Sequence, residues 1–449
     1  MSEASAAQPA PAKRGLERIL SPLADVHRDE TASVLLLTLL MFLLLTSYYM
    51  LKTAREVFIL SEGGAEVKSY ASAGQAVLLL FLVPAYSAFA SRVSRVQLVT
   101  WVSLFFASNI LLFALIAGAH IRIGVTFFLW LGVYNVMVIA QFWAFANDVY
   151  TPEQGKRLFP LIGVGSSLGA LAGSIRAGNL MESAGPLRLL FGGAAILVIC
   201  VALARVIDRT ARRATPAREA AKVDEPLGEG KSGFGLLLSS RYLTLIALLI
   251  LLLNVVNTTG EYLFGKYVVQ NAIAMYGPGA EAAAARGRYI GDTYASFFSN
   301  VNLLGLLLQM FVVSAVFRAI GVGRALFIHP IIAGTGYLLM LRAPSFNAIR
   351  WLKTADNAVD YSLGNTTKQA LWLPTTRQEK YKAKQAVDSF CVRAGDVIQA
   401  GIVYTGELAS FSISAFAVLN LVMTAAWLAV ARGLNRRLRE QAGSGGTAL

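Results

Sequence analysis

Residues 33–56 read SVLLLTLLMFLLLTSYYMLKTARE, an almost unbroken apolar run that ends on Lys52, Arg55 and Glu56. A helix needs about 20 predominantly apolar residues to cross the hydrocarbon core of a bilayer, and this run supplies them. The two cations and the carboxylate, at i, i+3 and i+4, stack on one helix face. Charge inside a hydrocarbon-buried helix is costly, and it usually faces a bundle interior or a water-filled path, where it binds or gates something charged. This face therefore predicts a transporter. The alternative is interfacial, with Lys52 and Arg55 snorkelling to headgroups from the end of the span.

The remainder of the chain repeats the pattern. Of 449 residues, 56% are hydrophobic and only 15% charged, with a mean hydropathy of +0.57, the composition of a polytopic membrane protein. About twelve spans qualify on length: 33–55, 70–91, 97–118, 123–147, 158–182, 188–207, 242–268, 289–317, 322–341, 346–373, 385–405 and 408–431. The fold class is accordingly an all-α integral membrane protein. Most of the 40 Lys and Arg fall between spans on one side, which places both termini in the cytoplasm of a multi-pass inner-membrane protein. The net charge of +14 is thus a topology signal. No basic, aromatic-rich soluble domain is present to read nucleic acid. Cys200 and Cys391 sit in apolar segments and His27, His120 and His329 are scattered, so neither a metal nor a cofactor is expected, and no catalytic constellation suggests an enzyme.

Residues 1–32, Ala/Pro-rich and then mixed-charge, read as a disordered cytoplasmic start. A six-helix bundle follows at 33–207, then a charged cytoplasmic linker at 208–241, a second bundle at 242–431 and a cytoplasmic tail at 432–449. Six spans on each side of a charged linker is the major-facilitator arrangement. A short internal repeat joins the halves. Phe142-Trp143, then Thr151-Pro152-Glu153-Gln154-Gly155-Lys156-Arg157, opens span five, while Leu371-Trp372, then Thr376-Arg377-Gln378-Glu379-Lys380-Tyr381-Lys382, leads into span eleven. Glu153, Lys156, Arg157, Glu379 and Lys382 are placed to gate the cytoplasmic side; ordinary positive-inside charge is the alternative. Within span five, Gly165, Gly169 and Gly173 leave one face flat for close approach of another helix, and no Gly-Lys-Ser/Thr end is present to make a phosphate loop.

Several polar positions interrupt the later spans. Span seven carries Asn254, Asn257 and Glu261 on one face, with Lys266 beyond. Span ten is the most polar, holding Arg350, Lys353, Asp356, Asn357, Asp360, Tyr361, Asn365 and Lys368. At helical spacing, Asn357, Tyr361, Asn365 and Lys368 form a stripe that predicts a cavity lining, with Lys368 as a point charge for a phosphate or carboxylate. Span eleven adds Asp388, Arg393, Asp396 and Gln399, where Arg393 and Asp396 are either a buried pair or a substrate contact.

At these residues the chain resembles the nucleotide transporter family of plastids and intracellular bacteria, the ATP/ADP antiporters. The resemblance rests on Tyr48, Leu51-Lys52 and Arg55-Glu56 in span one, and on Lys156-Arg157-Leu158-Phe159-Pro160-Leu161 before Gly163-Val164-Gly165. It continues with Asn257, Glu261 and Lys266, with Tyr361-Ser362-Leu363 and Thr366-Thr367-Lys368, and with Lys382-Ala383-Lys384-Gln385-Ala386-Val387-Asp388. Three departures stand out. The family's span-four Glu is replaced by the apolar stretch Leu131, Gly132 and Val133, Arg55 replaces a Lys, and the Trp beside Lys266 is missing.

The resemblance implies alternating-access exchange of ATP, ADP or another nucleotide, or of a related phosphorylated or carboxylated anion. The expected substrate contacts are Lys52, Arg55, Asn257, Glu261, Lys266, Tyr361, Lys368 and Arg393. Glu56, Glu153, Lys156, Arg157, Glu379, Lys382, Asp388 and Asp396 are the coupling or gating candidates. Two other readings stay open: a proton-coupled transporter of an unrelated small molecule, with Glu56 or Glu261 titrating, and a non-transporting scaffold or sensor.

Overall fold

In hydrocarbon every backbone N–H and C=O must find an internal partner, and a helix satisfies its own. Accordingly no strand occurs among the described residues, which in this computed structural model are 26–27, 30–90, 95–214, 233–342, 345–376 and 379–445. The first helix, Thr31–Ala90, has 60 residues, about 90 Å at 1.5 Å per residue, three times the thickness of a bilayer core. It breaks at Gly64, whose φ of 73° and ψ of −172° suit a residue without a Cβ. Glu56 and Lys68, about 18 Å apart on a straight helix, meet at 2.7 Å. The chain therefore doubles back, giving α1 (31–63) and α2 (65–90).

Four rods complete the first half: α3 (Arg95–Gly118), α4 (Gly124–Val149), α5 (Pro152–Ala184) and α6 (Pro186–Ala214). A short helix, Gly233–Ser239, leads into α7 (Arg241–Tyr276). Gly321, with φ 75° and ψ 167°, separates α8 (283–320) from α9 (322–340) as Gly64 separates α1 from α2. Next come α10 (346–370), α11 (379–408) and α12 (Ile413–Gly445). Eight stretches among the described residues are long and apolar enough to cross a membrane, one of them holding both α1 and α2. The main part of α9 is shorter, and α10 and α11 are loaded with charge. These twelve rods form two bundles of six, and their even number brings the end of α12 back to the face on which α1 begins, the terminal face.

The expected disordered start, most of the expected linker and the last residues of the tail lie outside the described residues. Within the described part, α12 runs on to Gly445, its polar end carrying Arg436–Glu440 and Arg437–Glu440 ion pairs. In the first half α1 packs on α4, α5 and α6; in the second, α12 packs on α7 and α9, and α8 on α10. The halves meet where α8 lies on α5 and α11 on α2.

The three glycines of α5 explain how closely α1 approaches. A Cβ at Gly165 would stand 2.7 Å from the Thr38 carbonyl oxygen, one at Gly173 would stand 2.5 Å from that of Thr46, and one at Gly169 would collide with that of Phe42. Thr46 Oγ1 then donates across the seam to the Gly169 carbonyl at 3.2 Å. Small residues allow this backbone-to-backbone contact, the main source of helix affinity where lipid is as apolar as the side chains.

The internal repeat has a local cause. Thr151 Oγ1 accepts from the N–H of Gln154, and Gln154 Oε1 accepts from the N–H of Thr151 at 2.9 Å. Thr376 and Glu379 make the same reciprocal pair, at 3.4 and 2.8 Å. Both are capping boxes, which satisfy amide donors left over at the start of a helix. After the boxes the halves diverge. The π-helical turns among the described residues, Leu308–Val312, Asp360–Gly364, Glu379–Ala383 and Val387–Cys391, all belong to the second half.

Candidate functional site

The charges that end the first apolar run lie inside the molecule. Arg55 donates to Glu56 and lies over the Phe128 ring, 4.5 Å from its centroid. Glu56, fully buried, accepts Lys68 of α2 at 2.7 Å, and Lys68 stands 3.8 Å from Glu261 of α7. Glu261 in turn accepts from Asn357 of α10 at 3.4 Å. A chain of opposite charges thus links both bundles, and each buried ion has a partner, as a low-dielectric site requires.

Lys52 differs. Its ammonium sits 4.2 Å from the centroid of Phe298 on α8 and 5.2 Å from that of Tyr49, and no carboxylate or hydrogen-bond acceptor touches it among the described residues. Aromatic faces stabilise a desolvated ammonium by about 2 kcal/mol, which leaves its charge unneutralised. One helical turn away Tyr49 borders a cavity of about 190 Å³ between the bundles, lined also by Ser166, Ser167, Asn302, Gln309 and Tyr361. Two tyrosine rings and several hydroxyl and amide groups make a concave, convergent site one helical turn from Lys52.

A second charge chain runs through the second bundle. Lys353 donates to Asn257 Oδ1 at 2.6 Å and to Asp356 at 2.9 Å. Asp356 faces His329 Nε2 of α9 at 3.2 Å. His329 Nδ1 is 3.9 Å from Asp360, and Asp360 accepts from Lys368 at 3.1 Å. The expected stripe places Asn357 and Tyr361 toward the space between the bundles, but the π turn at Asp360–Gly364 shifts the phase behind it. Lys368 is drawn back onto Asp360.

Other predicted positions lie apart. Lys266 bonds Glu407 at 2.5 Å, Glu66 at 3.1 Å and Tyr262 at 3.0 Å, away from Lys368 and on the face opposite the termini. Arg393 stands 3.7 Å from Asp396, which accepts from Asn254 at 2.9 Å, so the pair braces α11 on α7. On the terminal face Arg157 donates to Glu30 at 2.8 Å, and Gln154 donates to the same carboxylate at 2.9 Å. Burial raises the pKa of Glu30, but the bonds from Arg157, Gln154 and the His27 N–H outweigh it and hold the carboxyl below its ordinary value. Glu153 is exposed, the side chain of Lys156 is outside the described set, Glu379 serves as a cap, Lys382 is half-buried, and Asp388 pairs with Lys384 at 2.9 Å.

Sequence reading missed Lys68, His329 and Phe298 as parts of the site. Lys68 falls in the polar turn between spans and carried no signal; the other two come from α8 and α9 through folding alone. The departure in span four also has a physical reading. Gly132 lies directly against the side chain of Gln75 on α2, so an amide fills the space where the related pattern has a carboxylate.

A model of the family described as TLC ATP/ADP transporter matches residues 11–120 and 127–342. The chain is 26% identical over 347 residues to ADP,ATP carrier protein 1 of Chlamydia trachomatis, covering 67% of this chain and 62% of that one. It is 26% identical over 342 residues to the plastidic ATP/ADP-transporter of Solanum tuberosum, covering 67% and 51%. The match thus spans less than two thirds of these relatives' length. Among solved structures, a mutant of the nucleoside transporter NupG superposes with a TM-score of 0.62 at 10% identity, covering 90% of this chain and 98% of that one. A bacterial homologue of the iron transporter ferroportin, in an inward-facing state, gives 0.62 at 14%, covering 88% and 98%. At such identities the likeness is one of fold, and that fold is of major-facilitator type.

Proposed function

The chain belongs to the TLC ATP/ADP transporter family, and from that premise we propose that it exchanges nucleotides, or closely related phosphorylated anions, by alternating access. The observation that carries this reading is Lys52, an ammonium held on aromatic rings, one helical turn from a tyrosine of the inter-bundle cavity, with no carboxylate in contact with it among the described residues. A phosphate is the natural counter-charge. Tyr49 and Tyr361, which border the cavity, offer faces for a base. Bonds between the bundles gather on the face away from the termini: Lys266–Glu66, Lys68–Glu261, Gln399 to Ser69 at 3.1 Å and Asn302 to Ser174 at 3.2 Å. With the termini in the cytoplasm of an inner-membrane protein, this arrangement is closed to the outside. The segmentation proposed is 33–207 and 242–431 for the moving bundles, with a linker at 208–241. An empty cavity with an uncompensated cation resists closure, so reorientation waits for the anion and the cycle becomes an exchange.

The test is uptake of labelled ATP or ADP into proteoliposomes loaded with unlabelled nucleotide, with Lys52→Met as the variant. Exchange that falls at least about tenfold, equivalent to 1.4 kcal/mol of lost binding, while the protein stays monodisperse supports the reading. If the wild-type protein exchanges no phosphorylated compound, the reading fails.

A further inference from the structure

His329 is 5% exposed and sits between two aspartates. Its Nε2 faces Asp356, whose other oxygen is held by Lys353, so the Nε2–H tautomer is the one that donates. That leaves Nδ1 as a lone pair. This atom is buried without any hydrogen-bond partner, and the nearest acid, Asp360, stands 3.9 Å away, too far for a hydrogen bond. Gly364 keeps the gap open: a Cβ there would lie 3.1 Å from Nδ1 and 3.3 Å from the Asp360 carboxylate. An unsatisfied nitrogen aimed at a carboxylate is the geometry of a site missing one proton.

We infer that His329 Nδ1 binds a proton, and that the imidazolium then competes with Lys368 for Asp360, releasing the Lys368 ammonium toward an anionic substrate. The proton comes from hydronium, whose O–H bond breaks as the Nδ1–H bond forms, leaving water. Other groups facing the ring have fixed roles. From α10 come Asp356, Asp360, Lys353 and Lys368; from α7, the apolar Leu249 and Leu253; from α12, Trp427, in an edge contact at 4.9 Å. Within α9, Tyr337 donates to the Val256 carbonyl at 2.9 Å. Lys353 stays engaged by Asn257 and Asp356, which leaves Lys368 as the cation able to change partners. Its side chain is 23% exposed and borders the same hollow as His329, giving water a route to the ring. The consequence for the substrate rests on the anion-cavity reading above; the proton site itself rests on the ring geometry.

Two measurements on the purified full-length protein separate them. Protons taken up in a weakly buffered titration without nucleotide are counted for wild type and His329→Gln. A deficit of one proton per chain in the variant is expected, and equal counts overturn the site. ATP binding is then measured across the same range. Wild type is expected to bind on the order of tenfold tighter at the acid end, His329→Gln weakly throughout, and Asp360→Asn tightly throughout because Lys368 loses its anion. General damage to the fold does not move two neighbouring variants in opposite directions. Should His329→Gln not fold, Asp360→Asn decides alone: tight, pH-independent binding supports the switch, and a wild-type pH profile overturns it. If ATP binds nowhere, the anion reading fails while the proton count still decides the site.

Discussion

The units α4–α5 and α10–α11 start their second helix with the same capping box and then part ways. α5 continues as a regular helix, laying three glycines on the carbonyls of α1. α11 opens through two π-helical turns, and α10 contains another at the position of Asp360. A glycine seam has no side chains to repack, and its close backbone contact argues that α1 and α5 stay together and hold Lys52, Arg55 and Glu56 in place. A π turn holds one residue more than the α-helix around it and often marks a functional site. The family match ends at residue 342, ahead of α10, so α10 and α11, with three of the four π turns among the described residues, lie beyond it.

The largest effect that tests this contrast is expected at Glu56. Its loss in Glu56→Ala strips Arg55 of its carboxylate and leaves Lys68 only Glu261, 3.8 Å away, and breaking a buried pair typically destabilises by about 3–5 kcal/mol. A large fall in melting temperature in detergent is the expected result. Asp388→Ala in the second half removes an exposed partner of Lys384 and is expected to change stability by less than about 1 kcal/mol. Equal melting temperatures for the two variants would remove the distinction between a locked and an adjustable half.

A smaller effect is expected from the seam. Gly169→Ala drives a methyl into the Phe42 carbonyl, whereas Gly163, on the same helix, has nothing within 4 Å of its would-be Cβ. Overpacking at the first site is expected to destabilise by about 1–3 kcal/mol, while Gly163→Ala melts as wild type does. Thermal unfolding of the two single variants compares them directly, and a match between them would mean that α1 and α5 are free to separate.

The sequence made the rods legible because length and hydropathy report directly on a bilayer, and because glycines and capping residues mark where rods stop and start. It made half of the site legible. Lys52, Arg55 and Glu56 lie before the break at Gly64, on undisturbed helix, so their spacing translated into a shared face. Span ten did not translate. Periodicity put Lys368 in line with Asn357 and Tyr361, but the extra residue at Asp360–Gly364 rotates everything after it and pairs Lys368 with Asp360 instead. Nothing in the composition of DYSLG distinguishes a π turn from an α turn. Lys68 and His329 escaped for another reason: each acts through a partner on a different helix, and one sequence carries no record of that pairing.

The smallest expected effect lies on the terminal face. The capping box of α5 supplies Gln154 to the Glu30 carboxylate, and Arg157 adds an ion pair, so the start of α1 is tied to the start of α5 by one acid. Because the folded-state pKa of Glu30 lies below its ordinary value, its contribution is complete above the ordinary glutamate range and is lost as pH falls through the folded value. Glu30→Gln keeps the shape and removes the charge, and is expected to lower stability by no more than about 1 kcal/mol at neutral pH. The gap between variant and wild type closes on acidification, since both then carry a neutral group. Melting curves at neutral and acid pH check this. A gap that stays constant with pH would show that the tie is made by shape and not by charge, and the two ends of the locked half would then owe nothing to Arg157.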